Sequence, residues 1–500
     1  MTRYIAIIAG IAAVAALVAA TVAQASPTTP GTAFSIKAAG GPYTASAGTF
    51  SCELPDATLH CNSPQDIRSA YGVDAVGDPS TGTGLLGQGQ TIVLVDAYGS
   101  PTAESDLQAF HDQFFPNLPK PDFTQIFPNG KTDFSSANGN GQSGPVAAAG
   151  WSGEATLDIE WSYAIAPLAK IILIAVPPAE TEGVQGMPNL FKAISDQIDA
   201  NPGGTVFSMS FGITEQTFGG AAAQQTAKFD AVFQKGIAKG DTFFASSGDS
   251  GTLGVAKQHR QTATYSYPTA GWPASSPYVT AVGGTQLQTN WRWDPTSDVP
   301  FTADGNFNDA YFASNAADSP LNVVWNESWL PAASGGGPSA IYARPKWQSG
   351  VLPDQGNHRL VPDVAWNAAV NGGVLVYISA YQDYNGPAGF YLYGGTSAAS
   401  PQVAGLTALA AEKAGHGLGN IDQALYTHPE AFTDVAPIHQ GAPNVISGEL
   451  TTNRMFDYNG DGQAVTWDAV PGWSVNQGYD MATGWGTPNA PAYIAALAGS

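Results

Sequence analysis

Ser397 follows Gly395-Thr396 and opens the run Ala398-Ala399-Ser400-Pro401, which predicts a helix over 397–414. At such a junction, backbone N–H groups and the helix dipole favour negative charge, so a hydroxyl there is placed to attack a carbonyl and hold the resulting oxyanion. Pro401 lies close enough to the helix start for its missing N–H to cost little. A serine nucleophile needs a base. In Gly153-Glu154-Ala155-Thr156-Leu157-Asp158-Ile159-Glu160, Glu154 and Asp158 stand one helical turn apart on one face. Exposed, they are two solvated acids whose repulsion costs only about a few tenths of a kcal/mol. Buried beside Ser397, they would share a proton, with Glu154 accepting from the serine and Asp158 orienting it. A third carboxyl, Asp249, lies in Ser246-Ser247-Gly248-Asp249-Ser250-Gly251. It can donate to an oxyanion only when protonated, and otherwise caps a turn.

These groups need a scaffold. Apolar runs over 91–96, 170–176, 205–211, 241–246 and 278–282 predict buried strands, and the stretches 103–115, 154–165, 190–198 and 221–237 predict helices between them. Short buried strands alternating with helices imply an α/β fold, a mostly parallel sheet with helices on both faces in a single large domain. Ligands of such sheets sit beyond the carboxyl ends of the strands. Residues 286–360, rich in Gly, Pro, Asn and Trp, are expected to form long ordered loops.

The combination resembles the sedolisin family, the serine-carboxyl peptidases with a subtilisin-like fold. The likeness runs from about Gln65 to Pro488. Glu154 and Asp158 resemble that family's acid–base pair, Asp249 its oxyanion acid and Ser397 its nucleophile. The histidine segment His-Gly-Thr-His that supplies the base in subtilisins is absent. Tyr267-Pro268, Ala274-Ser275-Ser276-Pro277, Ser334-Gly335-Gly336-Gly337 and Pro362-Asp363-Val364 are similar too and occur in the same order. The resemblance implies an acid-active endopeptidase or tripeptidyl-peptidase working through an acyl-enzyme on Ser397. It also implies one Ca2+ site, formed by Asp434, Val435, Asn476, Gly478 and Asp480, a donor set of two carboxylates and main-chain carbonyls suited to a hard cation. Asp457, Asn459, Asp461 and Asp468 have the spacing of part of an EF-type loop, but the flanks do not read as helices and a polar loop is the simpler reading. Two features depart from the family. The family usually carries a long folded pro-domain, whereas fewer than about 40 residues separate the expected signal from the match. The places that extend the catalytic network in some members are Asp96 and Phe211, and phenylalanine cannot hydrogen-bond, so Asp96 stands only as a supporting candidate.

Bulk properties agree with this reading. Of 500 residues, 40 are acidic and 18 basic, a formal charge of −22 that argues against nucleic acid and suits an acidic medium. Arg3, the apolar run 5–22 and Ala23-Gln24-Ala25 read as an export signal over 1–25, with an uncleaved anchor as the alternative for a run of that length. No later stretch is apolar enough to span a membrane, so a secreted monomer acting on proteins or peptides, with no stable membrane partner, is expected. Residues 26–62 read as a linker or short pro-segment in which Cys52 and Cys61 pair, and 63–498 as the peptidase domain. A chymotrypsin-like reading has decoys in His60 and Ser250, but needs two β-barrels. An α/β-hydrolase needs Gly-x-Ser-x-Gly, and Ala399 breaks it. His111, His259, His358, His416, His428 and His439 share no spacing with a nucleophile. The rival from another class is a catalytically silent secreted binding or adhesion protein on a peptidase fold.

Overall fold

In the computed structural model the described residues are 40–46, 48–54, 57, 59–131, 145–177, 184, 186–258, 261–289, 321–327, 332–435, 451–455 and 470–499. Eight strands form the central sheet: β1 (Thr91–Ala97), β2 (Phe123–Ile126), β3 (Lys170–Val176), β4 (Val206–Met209), β5 (Thr242–Ser246), β6 (Thr280–Gln288), β7 (Leu321–Val324) and β8 (Val364–Asn367). Their order is β7-β6-β5-β4-β1-β3-β2, with β8 also paired to β6. All pairings are parallel except β7 against β6.

Strand periodicity explains the layers. Ile92 and Leu94 of β1, with Ile171 and Leu173 of β3, face one core; Val93, Val95, Ile172 and Ile174 face the other. The first core is closed by α2 (Pro145–Ile165) and α5 (Thr396–Ala414), through Leu157, Trp161, Val403 and Leu406. The second is closed by α3 (Met187–Ala200) and α4 (Ala222–Ile237), through Leu190, Ile194, Phe229 and Phe233. Helix α1 (Ala103–Phe114) packs on the first side through Leu107 and Phe110. The chain runs from β1 outward to β2 and β3, then returns to lay β4 on the other side of β1. In open parallel sheets a reversal of this kind places a crevice beyond the carboxyl ends of the strands, here β1 and β4.

Some boundaries differ from expectation. Helix α2 starts at Pro145, well before Glu154, because its buried surface runs all the way round and leaves no polar stripe to mark its beginning. Strand β4 stops at Met209, leaving Ser210 and Phe211 beyond it. Within 286–360, part of the expected loop region pairs instead, as the end of β6, β7 and short ladders at Asn326–Glu327 with Ala332–Ala333.

The region expected to be a linker is partly built into the molecule. Gly40–Tyr43 adds an antiparallel strand to β10 (Gly389–Tyr393), β10 pairs with β9 (Gly373–Ile378), and Cys61–Asn62 lies parallel to β9. Cys52 and Cys61 are joined in a disulfide, with Cα atoms 5.2 Å apart, and both are buried with Phe50 in the first core. Residues 1–25, expected to be a signal, and Asp457, Asn459, Asp461 and Asp468 lie outside the described residues. Among the described residues no helix is long and apolar enough to cross a membrane.

Candidate active site

The crevice collects four carboxyl groups and one serine from four separate stretches of chain. Asp96 comes from the end of β1, Glu154 and Asp158 from α2, Asp249 from the turn after β5, and Ser397 from the first turn of α5. All five are at least 95 % buried. The spacing of Glu154 and Asp158 does what a helical turn should: both project from α2 into the same crevice.

The Ser397 side chain lies close enough to Glu154 to favour its ionised form by hydrogen bonding, yet burial and the nearby Asp96 hold that carboxyl well above the usual glutamate range. Asp158 is likewise pushed well up by burial, by Asp96 and by Glu154. The Ser210 hydroxyl donates to Asp158 Oδ1 at 2.9 Å. Asp96, fully buried and with neither carboxyl oxygen hydrogen-bonded, is pushed up to about 8 by desolvation. Glu154 Oε1 and Asp158 Oδ2 also lack a hydrogen-bond partner. Three carboxyls stripped of water and facing one another cannot all ionise, so the cluster retains protons at pH values where free carboxylates have lost them. Here the supporting candidate Asp96 proves to be in electrostatic contact with both members of the pair. Phe211 is fully buried in the second core and contributes only packing.

Pro401 sits deeper than the sequence reading supposed. It is past the first turn of α5, so the Ser397 carbonyl loses the helical N–H it would otherwise receive. The Ser210 hydroxyl approaches that carbonyl at 3.5 Å, the outer limit of a hydrogen bond, while binding Asp158. Ser210, absent from the sequence-based candidates, thus holds Asp158 with its single hydroxyl proton and stands beside the nucleophile's carbonyl. Its signal was present in the position just after a buried strand, but serine is too common there to read.

Asp249 belongs to a turn pinned from behind. Ser247 N donates to Val282 O at 2.9 Å, and Gly335 N to Gly248 O at 2.7 Å. A β-carbon on Gly335 would fall 2.3 Å from Ser247 O, which accounts for glycine in the Ser334–Gly337 segment. Asp249 Oδ1 accepts from Thr396 N at 2.8 Å and from Thr396 Oγ1 at 2.7 Å. Burial raises its pKa to about 6 against the lowering effect of those two bonds. Gly395, at φ +99°, takes a conformation open to glycine, and a β-carbon there would meet Asp249 Oδ2 at 2.9 Å. The glycine thus brings the carboxyl against the turn that carries Ser397. Asp363, from the Pro362-Asp363-Val364 segment, is forked by the buried Arg359 and accepts from Ala281 N at 2.8 Å, aligning β8 beside β6.

At the expected Ca2+ site, Asp434 and Asp480 lean on one loop. Gly478 N donates to Asp434 Oδ2 at 2.7 Å and Asn476 N to Asp480 Oδ2 at 3.0 Å. Val435 is buried behind them and Gly478 has φ +80°. Two carboxylates leaning on a glycine-bearing loop fit a calcium ion in donor type, the main-chain carbonyls of Val435, Asn476 and Gly478 being the further donors that the resemblance implies. Among the described residues no group of three or more His, Cys, Asp or Glu side chains is assembled for a metal, so such a site would depend on carbonyls and water.

Comparison with known proteins places this geometry. Residues 104–430 match the Subtilase family. Kumamolisin of Bacillus sp. (strain MN-32) is 27 % identical over 449 residues, covering 88 % of this chain and 64 % of that protein. Sedolisin of Pseudomonas sp. (strain 101) is 29 % identical over 311 residues, covering 60 % of this chain and 43 % of that protein. The chain therefore spans less than two thirds of the length of these relatives. The solved structure of Pseudomonas sedolisin, a serine-carboxyl proteinase complexed with two molecules of pseudo-iodotyrostatin, superposes with a TM-score of 0.59 at 25 % identity, over 88 % of this chain and 98 % of that one. With its subtilisin-like sheet and a matched span of more than half its length, the chain belongs to the subtilase family and, within it, to the sedolisins.

Proposed function

We propose that this chain is a secreted serine-carboxyl peptidase that hydrolyses peptide bonds in acid. The observation that carries the reading is the gathering of Ser397, Glu154, Asp158 and Asp96 in one buried cluster, with Asp249 at the nucleophile's own turn. In this reading Glu154 accepts the Oγ proton as Ser397 attacks the scissile carbonyl, and Asp158 orients and shares protons with Glu154. Asp249, protonated, donates to the oxyanion. Collapse expels the amine, which takes the proton from Glu154, and water then releases the acyl group by the same steps in reverse. The substrates are proteins or peptides, cut internally or shortened by tripeptides. The sedolisin and kumamolisin likenesses support the chemistry, and the charge balance supports the acidic medium.

One labelling experiment tests this reading. A serine-directed fluorophosphonate probe at acidic pH is expected to label the purified full chain at Ser397, located by peptide mass mapping, and to leave Ser397→Ala unlabelled. A native protein with no labelling at any acidic pH would favour the catalytically silent reading.

For calcium, Asp434 and Asp480 would hold the ion with carbonyls of Val435, Asn476 and Gly478, and the bound ion would brace the loop. Binding confined to the folded state stabilises by about 2.7 kcal/mol at a hundredfold excess over Kd. Chelator is thus expected to lower Tm by several degrees, and Asp434→Ala to abolish the response to added Ca2+. Asp434 is the cleaner substitution, because Asp480 also accepts from Ala482 N and Thr483 N at 2.8 Å each and would cost stability by itself. Equal Tm with and without chelator in the wild type at neutral pH would remove the site.

A further inference from the structure

We propose that Thr396 is a positioning residue for the oxyanion acid: its main-chain N–H and its hydroxyl both bind Asp249 Oδ1, and so confine the catalytic proton to Oδ2. The proposal rests on the reading of Asp249 as the oxyanion donor.

The geometry is directional. Oδ1 receives the Thr396 N–H at 2.8 Å and the Thr396 Oγ1–H at 2.7 Å. The hydroxyl proton has its direction fixed from the other side, because Thr396 Oγ1 accepts from Gly248 N at 3.1 Å. A relay results, Gly248 N–H to Thr396 Oγ1–H to Asp249 Oδ1, and it closes between the residue before the acid and the residue before the nucleophile. A carboxyl oxygen already accepting two hydrogen bonds is a poor place for the acid proton, since a proton there would displace or repel one of its donors. The proton therefore goes to Oδ2. That oxygen lies where a β-carbon on Gly395 would meet it at 2.9 Å, on the face of the turn leading into Ser397. Without the hydroxyl, Oδ1 keeps only the main-chain donor; the carboxyl can rotate about its bond to Cβ, and either oxygen can carry the proton. Thr396 is 1 % exposed, so water does not replace the lost donor readily.

The test is a mutant cycle on the full chain, assayed with a fluorogenic peptide cleaved by the wild type at acidic pH, with folding checked by circular dichroism and melting. Thr396→Val, nearly isosteric, removes only the hydroxyl. Deleting an oxyanion donor costs about 10²–10³ in kcat, so misdirecting one is expected to cost about 10- to 100-fold in kcat, with KM within about twofold. Thr396→Ser, which restores the hydroxyl, is expected to recover most of that loss. In an Asp249→Ala background the same Thr396→Val change is expected to have little further effect, because the group it orients is gone. A folded Thr396→Val enzyme with wild-type kcat, or an equal fold-loss in the Asp249→Ala background, overturns the proposal. If Thr396→Val does not fold, Thr396→Ala carries the same comparison. Wild-type activity in Asp249→Ala would instead overturn the oxyanion reading itself, and the two failures are distinct.

Discussion

Ser397→Ala is expected to lose about six orders of magnitude in kcat, the scale on which removing the nucleophile of a serine peptidase acts, while keeping its fold. The side chain is 2 % exposed and sits in the first turn of α5, where alanine is a better helix residue than serine, so packing gives no reason for a large stability change. Glu154→Gln is expected to be nearly as inactive, because glutamine keeps the shape but cannot accept the Oγ proton. Its stability makes a sharper distinction. The Glu154 carboxyl is held well above its ordinary range mainly by desolvation, so ionising it costs the fold. The neutral amide avoids that cost, and Glu154→Gln should be at least as stable as the wild type at neutral pH. Loss of activity with retained or increased Tm marks a base; loss of both marks a structural acid. Combining Ser397→Ala, Glu154→Gln and Asp158→Asn should add little to the worst single change, since the three act as a unit. Substantial peptide hydrolysis by purified Ser397→Ala would remove the assignment.

Much of this site was legible because its residue types are conspicuous in their places. Two acids one turn apart on an apolar helix, and a serine between glycine and alanines, are unusual enough to stand out, and the strands that carry them announce themselves by unbroken Ile, Leu and Val. What stayed hidden depends on distance along the chain or on common residues. Nothing in Gly40–Tyr43 shows that it pairs with β10 some 350 residues later, because two-residue periodicity gives a strand's faces but not its neighbour. Asp96 could be read as an acid at a strand end. That it lies buried without a hydrogen bond beside both members of the pair follows only from the crossing of β1 under α2. Ser210 and Thr396 escaped for a chemical reason: their hydroxyls act through carboxyls supplied by other elements, and local sequence records neither the partner nor the direction of the bond. Pro401 was visible, but its consequence was not. The carbonyl it orphans is that of Ser397, and the group that approaches it comes from beyond β4.

Activity is expected to be highest in acid and to fall toward neutral pH. Asp249 must be protonated to donate, and burial places its pKa at about 6, so the donor is lost as pH rises through that value. Removing one such donor costs about 3 kcal/mol, and an ionised carboxylate adds repulsion to the loss. The acid cluster imposes a second condition. Glu154, itself held up by burial and Asp96, must have given up its proton while Asp158 and Asp96, both raised by burial, keep theirs, so activity also falls once the pH is low enough to protonate all three. The same shifts act on stability. Folded-state pKa values above the unfolded ones give stability that is fully present below the unfolded carboxyl range and is lost as pH rises through the folded values. The fold should therefore be firmest in acid, and activity must be measured with folding checked at each pH. Asp249→Asn separates the two conditions, because an amide donates at every pH. If Asp249 sets the alkaline limb of kcat/KM, the variant retains part of its activity and the limb moves upward. If the carboxyl cluster sets it, the rate falls and the limb stays. A wild-type optimum at or above neutrality would contradict both, since Asp249 would then be ionised and unable to donate to the oxyanion.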